Sequence, residues 1–243
     1  MSPFLLLSIR AEEAAAVDEH DGFRRATRLG DADLHRVQLT ENELGRLELD
    51  EWSGILLGGG AFNASDPESA KSAVQRRIEV ELRILLDEVV ARDFPFLGAC
   101  YGIGVLGTHQ RGIVDRRYPE PVGPLSISLT DAGMADPLFA GVPREFAAYG
   151  GHKEALAGLP DQAVLLAESA ACPVQAFRVG SNVYATQFHP ELDLAGICTR
   201  IEVYRHAGYF EPDQAEVLQA RAAEVDVTHP VTLLRNFVTT HAR

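Results

Sequence analysis

The stretch Phe96-Leu97-Gly98-Ala99-Cys100-Tyr101-Gly102-Ile103 joins a short apolar run to a segment that is able to begin a helix. Its centre has the pattern Gly-x-Cys-x-Gly, which is typical of a nucleophile carried on a sharp turn between a strand and a helix. The strained backbone of such a turn has room only for small neighbours, and Gly98, Ala99 and Gly102 meet that need. The pattern therefore makes Cys100 a candidate nucleophile.

A helix that begins just after Cys100 would favour the reactive thiolate, because its positive dipole end and its free N–H groups would face the sulfur. The alternative is a buried structural cysteine, since free cysteine is among the most buried residue types. The five-residue pattern alone does not decide between these two interpretations.

A candidate base lies much further along the chain. Residues 183–188 predict a strand, and His189-Pro190-Glu191 follows it directly. Residues two apart in an extended segment point to the same side, so we expect His189 and Glu191 to lie side by side. A cysteine nucleophile needs a base that a third group orients, which favours a catalytic pair over a solvated surface histidine beside a glutamate.

Taken together, residues 98–102 and 187–191 resemble the class I, triad-type, glutamine amidotransferase family, and most closely its members in GMP synthases. The resemblance covers nearly the whole chain. In that family a cysteine attacks the side-chain amide of glutamine, forms a γ-glutamyl thioester and releases ammonia for a synthetase. By resemblance, Cys100 is the nucleophile, His189 is the general base and acid, and Glu191 orients the histidine.

Three glycines, Gly58-Gly59-Gly60, follow the predicted strand that contains Leu56 and Leu57. Alone they indicate a plain turn, although glycines also let backbone N–H groups approach a developing oxyanion without obstruction. The family has a Gly-Gly loop here, so the resemblance implies an oxyanion hole formed by the N–H groups of Gly59, Gly60 and Tyr101. The family usually continues with proline, whereas this chain continues with a third glycine, so we expect a different loop stiffness.

The predicted glutamine pocket departs from the family at two positions. Members commonly have glutamine where this chain has Gly104, and serine where it has Gly151. Gly104 lacks the side-chain amide of that residue, so we expect fewer hydrogen bonds and more space in the pocket. Either change weakens binding of the substrate glutamine or admits a larger γ-glutamyl compound. His152, which follows Gly151, is either a substrate contact or a structural loop histidine.

Composition limits the possible partners and compartments. The formal net charge of −13 disfavours a surface for nucleic acid or anionic membrane, since phosphate binding needs clustered Lys and Arg. The three cysteines, at 100, 172 and 198, show neither a C-x-x-C pair nor metal-ligand spacing, so we expect a cytoplasmic protein without a metal site. Residues 4–9 are apolar but too short to span a bilayer, and we expect no signal peptide.

Strands that alternate with helical segments predict an α/β fold with an open, mostly parallel sheet, helices on both faces and a small antiparallel side sheet. We expect one amidotransferase-like domain over residues 1–243, with a helical extension from about residue 193. The clearest helix is predicted to begin at Asp66-Pro67-Glu68 and to run as far as Val90. Residues 112–130 predict two antiparallel strands joined by a rigid turn.

Three functional hypotheses remain open. The first is a glutaminase subunit that needs no cofactor and passes ammonia to a separate synthetase. The second is a free-standing hydrolase of γ-glutamyl amides or peptides. The third is a catalytically inactive regulatory subunit, which is disfavoured because Cys100, His189 and Glu191 are all present.

Overall fold

The structure is a computed structural model that describes residues 2–243. The strands are β1 (Phe4–Ser8), β2 (Leu34–Gln38), β3 (Gly54–Leu57), β4 (Phe96–Ala99), β5 (Ile113–Asp115), β6 (Glu120–Leu129), β7 (Glu145–His152), β8 (Ala155–Gly158), β9 (Ala163–Glu168), β10 (Ala176–Val179) and β11 (Val183–Thr186). The α-helices are α1 (Glu13–Thr27), α2 (Ala73–Ala91), α3 (Tyr101–His109), α4 (Asp131–Ala135), α5 (Leu194–Val203), α6 (Ala215–Ala223) and α7 (Val231–His241).

The main sheet has the strand order β2-β1-β3-β4-β11-β10-β9-β6-β7. Neighbouring strands from β2 to β11 are parallel, and each neighbouring pair from β11 to β7 is antiparallel. Within this sheet, therefore, only β10 and β6 run against the other strands. A separate two-stranded antiparallel sheet contains β5 and β8. The predicted α/β class, the mostly parallel sheet and the small antiparallel side sheet are confirmed.

The sheet separates two apolar cores because side chains alternate between the faces of a strand. On one face, Leu6 of β1 belongs to a buried cluster with Phe237 of α7. On the other face, Leu7 belongs to a cluster with Leu82 of α2 and Leu106 of α3. The sheet is thus covered by helices on both faces, as predicted.

The prediction for the start of α2 is wrong by six residues, because Ser72 caps the helix instead of Asp66. Asp66 does not cap the helix, because its carboxylate accepts hydrogen bonds from Asn63 and Arg116 instead. The helix begins at Ala73, where the hydroxyl of Ser72 accepts a hydrogen bond from the N–H of Gln75 at 3.0 Å. A serine cap of this kind satisfies one of the free N–H groups at a helix start.

The predicted hairpin within residues 112–130 is also wrong. Both strands exist, but β5 pairs with β8, and β6 pairs with β7 and β9. Pairing with β7 and β9 buries Leu125, Ile127 and Leu129 of β6 in the core. Burial of that alternating apolar face outweighs the short sequence separation that favoured a hairpin.

The segment after residue 193 is helical, as predicted. It forms α5, a short 3₁₀ helix at Pro212–Gln214 that leads into α6, and α7. Helices α5 and α7 both pack against α1. Among residues 2–243, no helix combines the length and the hydrophobicity that a membrane crossing requires.

The close approach of α3 to β4 predicts a large effect of one added methyl group. A Cβ at Gly98 would lie 2.9 Å from the Cα of Gly102, so we expect Gly98→Ala to lower the free energy of unfolding by about 1–3 kcal/mol. The matched control is Gly30→Ala, whose Cβ would meet nothing closer than 3.6 Å and should change stability by less than about 0.5 kcal/mol. Urea unfolding measures both variants; equal midpoints would contradict the tight contact.

Candidate active site

Cys100 lies at the turn between β4 and α3 in a strained backbone conformation, with φ +53° and ψ −93°. Its N–H donates a hydrogen bond to the carbonyl of Thr186 at 2.7 Å, and its own carbonyl accepts from the N–H of Ile103 at 3.0 Å. A non-glycine residue at positive φ costs about 1–3 kcal/mol and persists only where its surroundings hold it. The turn thus has the form that the sequence predicted for a nucleophile.

His189 and Glu191 follow β11, the strand that lies directly beside β4. Both side chains are buried. Nδ1 of His189 lies 2.7 Å from Oε1 of Glu191 and donates a hydrogen bond to it. The backbone N–H of His189 donates to the carbonyl of Tyr149 at 2.9 Å, and this bond fixes the backbone that carries the imidazole ring.

The position of Gly59 brings these groups together. A Cβ on Gly59 would lie 2.6 Å from Cε1 of His189 and 3.2 Å from Cβ of Cys100. The same point is 3.1 Å from Nη2 of Arg10. Only a residue without a side chain allows the imidazole, the cysteine and this guanidinium to approach one another so closely.

Electrostatics couple His189 to its neighbours. Burial opposes the charged imidazolium, but the negative charges of Glu191 and of the Cys100 thiolate outweigh it and raise the pKa of His189. Burial likewise opposes the carboxylate of Glu191, yet the charge of His189 and its hydrogen bond hold the pKa of Glu191 below its ordinary value. The pair therefore favours a protonated histidine beside an ionised glutamate, which is the state that can donate a proton.

Gly59, Gly60 and Tyr101, the residues of the predicted oxyanion hole, lie close to Cys100. The N–H of Gly58 is occupied, because it donates to the carbonyl of Leu7 at 2.9 Å. Within residues 2–243, the N–H groups of Gly59, Gly60 and Tyr101 have no hydrogen-bond partner. Free N–H groups beside a nucleophile are available to stabilise a developing oxyanion, and the oxyanion hole stays a prediction.

Two cavities meet at Cys100. One is lined by Gly104, His152, Lys153 and Glu154, and we name it the Glu154 chamber. The other is lined by His189 together with Arg10, Arg200, Tyr204 and Phe210, and we name it the arginine chamber. Tyr209 lines both chambers.

Gly104 does not open space in the wall of the Glu154 chamber, which corrects the expectation from the sequence. A Cβ at Gly104 would lie 3.0 Å from Oε1 of Glu154 and 3.2 Å from Cβ of Ala64. The carboxylate of Glu154 is held there by hydrogen bonds from the N–H groups of Ala64 and Ser65, both at 2.7 Å. Glu154 therefore fills the space that a longer side chain at position 104 would need.

Gly151 and His152 lie at the end of β7. A Cβ on Gly151 would lie 2.8 Å from the Cα of Val122, so a serine does not fit here without movement of β6. Both ring nitrogens of His152 have partners inside the protein, the carbonyl of Glu154 and the carboxylate of Glu120, each at 2.8 Å. The substrate contact of His152 stays a prediction, and these bonds give the ring a structural role.

Glu120, His152 and Cys172 bring three potential metal-ligand atoms within 4.8 Å of one another. The carboxylate of Glu120 already accepts hydrogen bonds from His152, Ser169 and Gln175. Burial raises the pKa of the Cys172 thiol to about 11, which disfavours the thiolate that metals bind. The cluster is thus explained as a hydrogen-bond network between β6, β7 and the segment before β10.

The residues of the arginine chamber were missed by the sequence interpretation. Arg10 follows an apolar strand, and its position gave no indication of a role. Arg200 carried a usable signal, because it lies on the apolar stripe of α5 with Ile197 and Ile201, and Tyr204 continues that spacing just beyond the helix. A charged residue on a buried stripe is unusual unless it has a partner or a ligand.

The protein-family profile described as "Glutamine amidotransferase class-I" matches residues 21–196. Among curated proteins, the chain is 30% identical over 159 residues to a protein of Thermoplasma acidophilum that is named as one subunit of a glutamine-hydrolysing GMP synthase. That match covers 65% of this chain and 72% of the relative. A protein of Methanocaldococcus jannaschii with the same name is 30% identical over 143 residues, which is 58% of this chain and 66% of that protein.

Solved structures show the same fold. A glutamine amidotransferase from Thermotoga maritima matches with a TM-score of 0.79 and 20% identity, over 99% of this chain and 98% of that one. A glutamine amidotransferase from Methylobacillus flagellatus matches with a TM-score of 0.74 and 14% identity, over 100% and 96% of the two chains.

The coupling between His189 and Glu191 predicts an NMR result. In the wild-type protein the His189 ring should titrate above the ordinary histidine range, because Glu191 stabilises the imidazolium. Glu191→Gln removes that charge, so burial then dominates and the pKa of His189 should fall. A titration midpoint that does not move in the variant would contradict the coupling.

Proposed function

The chain belongs to the class I glutamine amidotransferase family, and from this premise we propose that it is a cysteine-dependent amide hydrolase that releases ammonia from glutamine. Cys100 is the nucleophile, His189 the general base and acid, and Glu191 the group that orients the imidazole. The observation that carries the proposal is the approach of Cys100 and His189 to the same point beside Gly59, with Glu191 bonded to the ring at 2.7 Å.

The reaction has two halves. The Cys100 thiolate attacks the γ-carbonyl carbon of glutamine, and the N–H groups of Gly59, Gly60 and Tyr101 stabilise the negative charge on the carbonyl oxygen. As the C–N bond breaks, His189 gives its proton to the departing nitrogen and ammonia leaves. His189 then takes a proton from water, which attacks the γ-glutamyl thioester and yields glutamate with free Cys100.

A separate synthetase is the proposed recipient of the ammonia. Relatives from Thermoplasma acidophilum and Methanocaldococcus jannaschii are each named as one subunit of GMP synthase. Those names support a chain that works with another polypeptide, and purine nucleotide synthesis is the nearest analogy. Ammonia release from glutamine should therefore increase when the cognate synthetase and its nucleotide substrates are added.

Replacing the nucleophile should abolish the reaction. Cys100→Ala leaves no group able to form the thioester, so we expect glutamine hydrolysis to fall by at least about a thousandfold. The control is Cys198→Ala, which removes a thiol of α5 outside both chambers and should retain activity. Ammonia release from glutamine measures both variants. Comparable rates for Cys100→Ala and wild type would refute the role of Cys100.

The other two members of the triad should differ in effect. His189→Ala removes the proton carrier, whereas Glu191→Gln keeps a hydrogen-bond partner and removes only the charge. We therefore expect a greater loss of kcat in His189→Ala than in Glu191→Gln, with both below wild type. Steady-state kinetics with glutamine decides the order, and a larger loss in Glu191→Gln would contradict these roles.

A further inference from the structure

The loop between β3 and α2 begins with three glycines, and its first half lies beside the nucleophile. Gly60 and Phe62 line the Glu154 chamber together with Cys100. Consecutive glycines lack the side chains that limit the conformations of a backbone. A loop that presents the N–H groups of Gly59 and Gly60 at fixed positions therefore needs contacts that hold it.

Few hydrogen bonds hold the backbone of this loop. In the described part of the chain, the only N–H groups of residues 59–65 that have a partner are those of Ala64 and Ser65. Both donate to the carboxylate of Glu154, one to each oxygen, at 2.7 Å. The other side chain that bonds to this stretch of backbone is Gln75, at 3.0 Å. Glu154 therefore accounts for every bonded N–H group of the stretch.

Glu154 is carried by a different part of the fold. It lies in the two-residue connection between β7 and β8, and its side chain is buried. Nδ1 of His152 donates to the carbonyl of Glu154 at 2.8 Å, and the carboxylate of Glu120 lies 2.8 Å from Nε2 of the same ring. Gly104 leaves the space that the carboxylate of Glu154 occupies. A side chain fixed in this way can hold a glycine-rich loop in one position, because its two oxygens each accept a charge-assisted bond.

We propose that Glu154 is a positioning residue, which holds the loop of residues 58–65 so that the N–H groups of Gly59 and Gly60 face the substrate carbonyl. The inference rests on the proposed function, because it assigns Glu154 to the oxyanion step of that reaction. Donors stabilise a transition state best when they are in place before it forms, and a displacement of about 1 Å can cost roughly a hundredfold in rate.

Kinetics distinguish a positioning residue from a substrate contact. Glu154→Gln keeps the size of the side chain but has one acceptor oxygen instead of two, so it cannot bind both N–H groups in the same geometry. Loss of a positioning residue weakens the transition state alone, so we expect kcat for glutamine to fall by about tenfold or more with KM within about threefold of wild type. A raised KM at unchanged kcat would overturn the proposal, because it would make Glu154 a substrate contact.

Two controls show that the loss is specific. Glu168→Gln makes the same change at an exposed position of β9 and should keep the wild-type kcat and KM. Alkylation of Cys100 by iodoacetamide is a displacement at a methylene carbon, in which no oxyanion forms, so its rate in Glu154→Gln should stay within about threefold of wild type. A loss of alkylation as large as the loss of hydrolysis would overturn the proposal, because the damage would then lie at Cys100 itself.

Hydrogen exchange tests the anchor without any reaction. Bonds to a buried carboxylate should protect the N–H groups of Ala64 and Ser65 in the wild-type protein. In Glu154→Gln we expect peptides that cover residues 58–66 to exchange about tenfold faster, and in Glu154→Ala faster still. Equal exchange in the wild type and both variants would overturn the proposal.

These measurements separate the inference from the proposed function. Hydrolysis of glutamine with the same kcat in wild type and Glu154→Gln would refute the positioning role and leave the proposed function in place. Absence of ammonia release by the wild-type protein would refute the proposed function and, with it, the catalytic role of Glu154. Hydrogen exchange would then still decide the anchor, which faster exchange in the variants supports and equal exchange refutes.

Discussion

The parallel pairing of β4 with β11 is the constraint on which the candidate site depends. Ala99 is opposite Thr186 in this register, and the N–H of Cys100 donates to the carbonyl of Thr186 immediately beyond it. Two parallel strands end at the same edge of the sheet, so the turn after β4 and the segment after β11 emerge together. A slip of one residue would reverse the face of every side chain on the strand. Cys100 and His189 are 89 residues apart in the sequence, and this register brings them together in space.

The buried charges around the site differ in how well neighbouring groups stabilise them. A buried charge is costly unless a partner stabilises it. Glu191 and His189 stabilise each other, and Glu19 pairs with Arg10 at 2.7 Å. Arg200 is less closely paired: burial and the charge of Arg10 lower its pKa, and the carboxylates of Asp18 and Glu19 lie 3.7 and 3.9 Å from its Nη2, beyond hydrogen-bond distance.

The fold and the pattern around Cys100 could be predicted because their signals are local. Apolar runs, a glycine-flanked cysteine and the His-Pro-Glu segment each lie within a few residues, and the strands occur where these signals predict them. The predictions that failed concern contacts between residues distant in sequence. β5 pairs with β8, Asp66 bonds to Arg116, and Glu154 fills the space beside Gly104. Arg10 was missed for the same reason. The organisation of residues 1–243 as one domain, and the roles of the triad, stay predictions.

The most direct measurement of the central claim is the mass of the protein during turnover. The wild-type protein, mixed with isotope-labelled glutamine and quenched with acid, should carry one γ-glutamyl group on the peptide that contains Cys100. Digestion and mass spectrometry locate the label. Label on the peptides of Cys172 or Cys198, or rapid ammonia release with no labelled peptide at any quench time, would contradict the account.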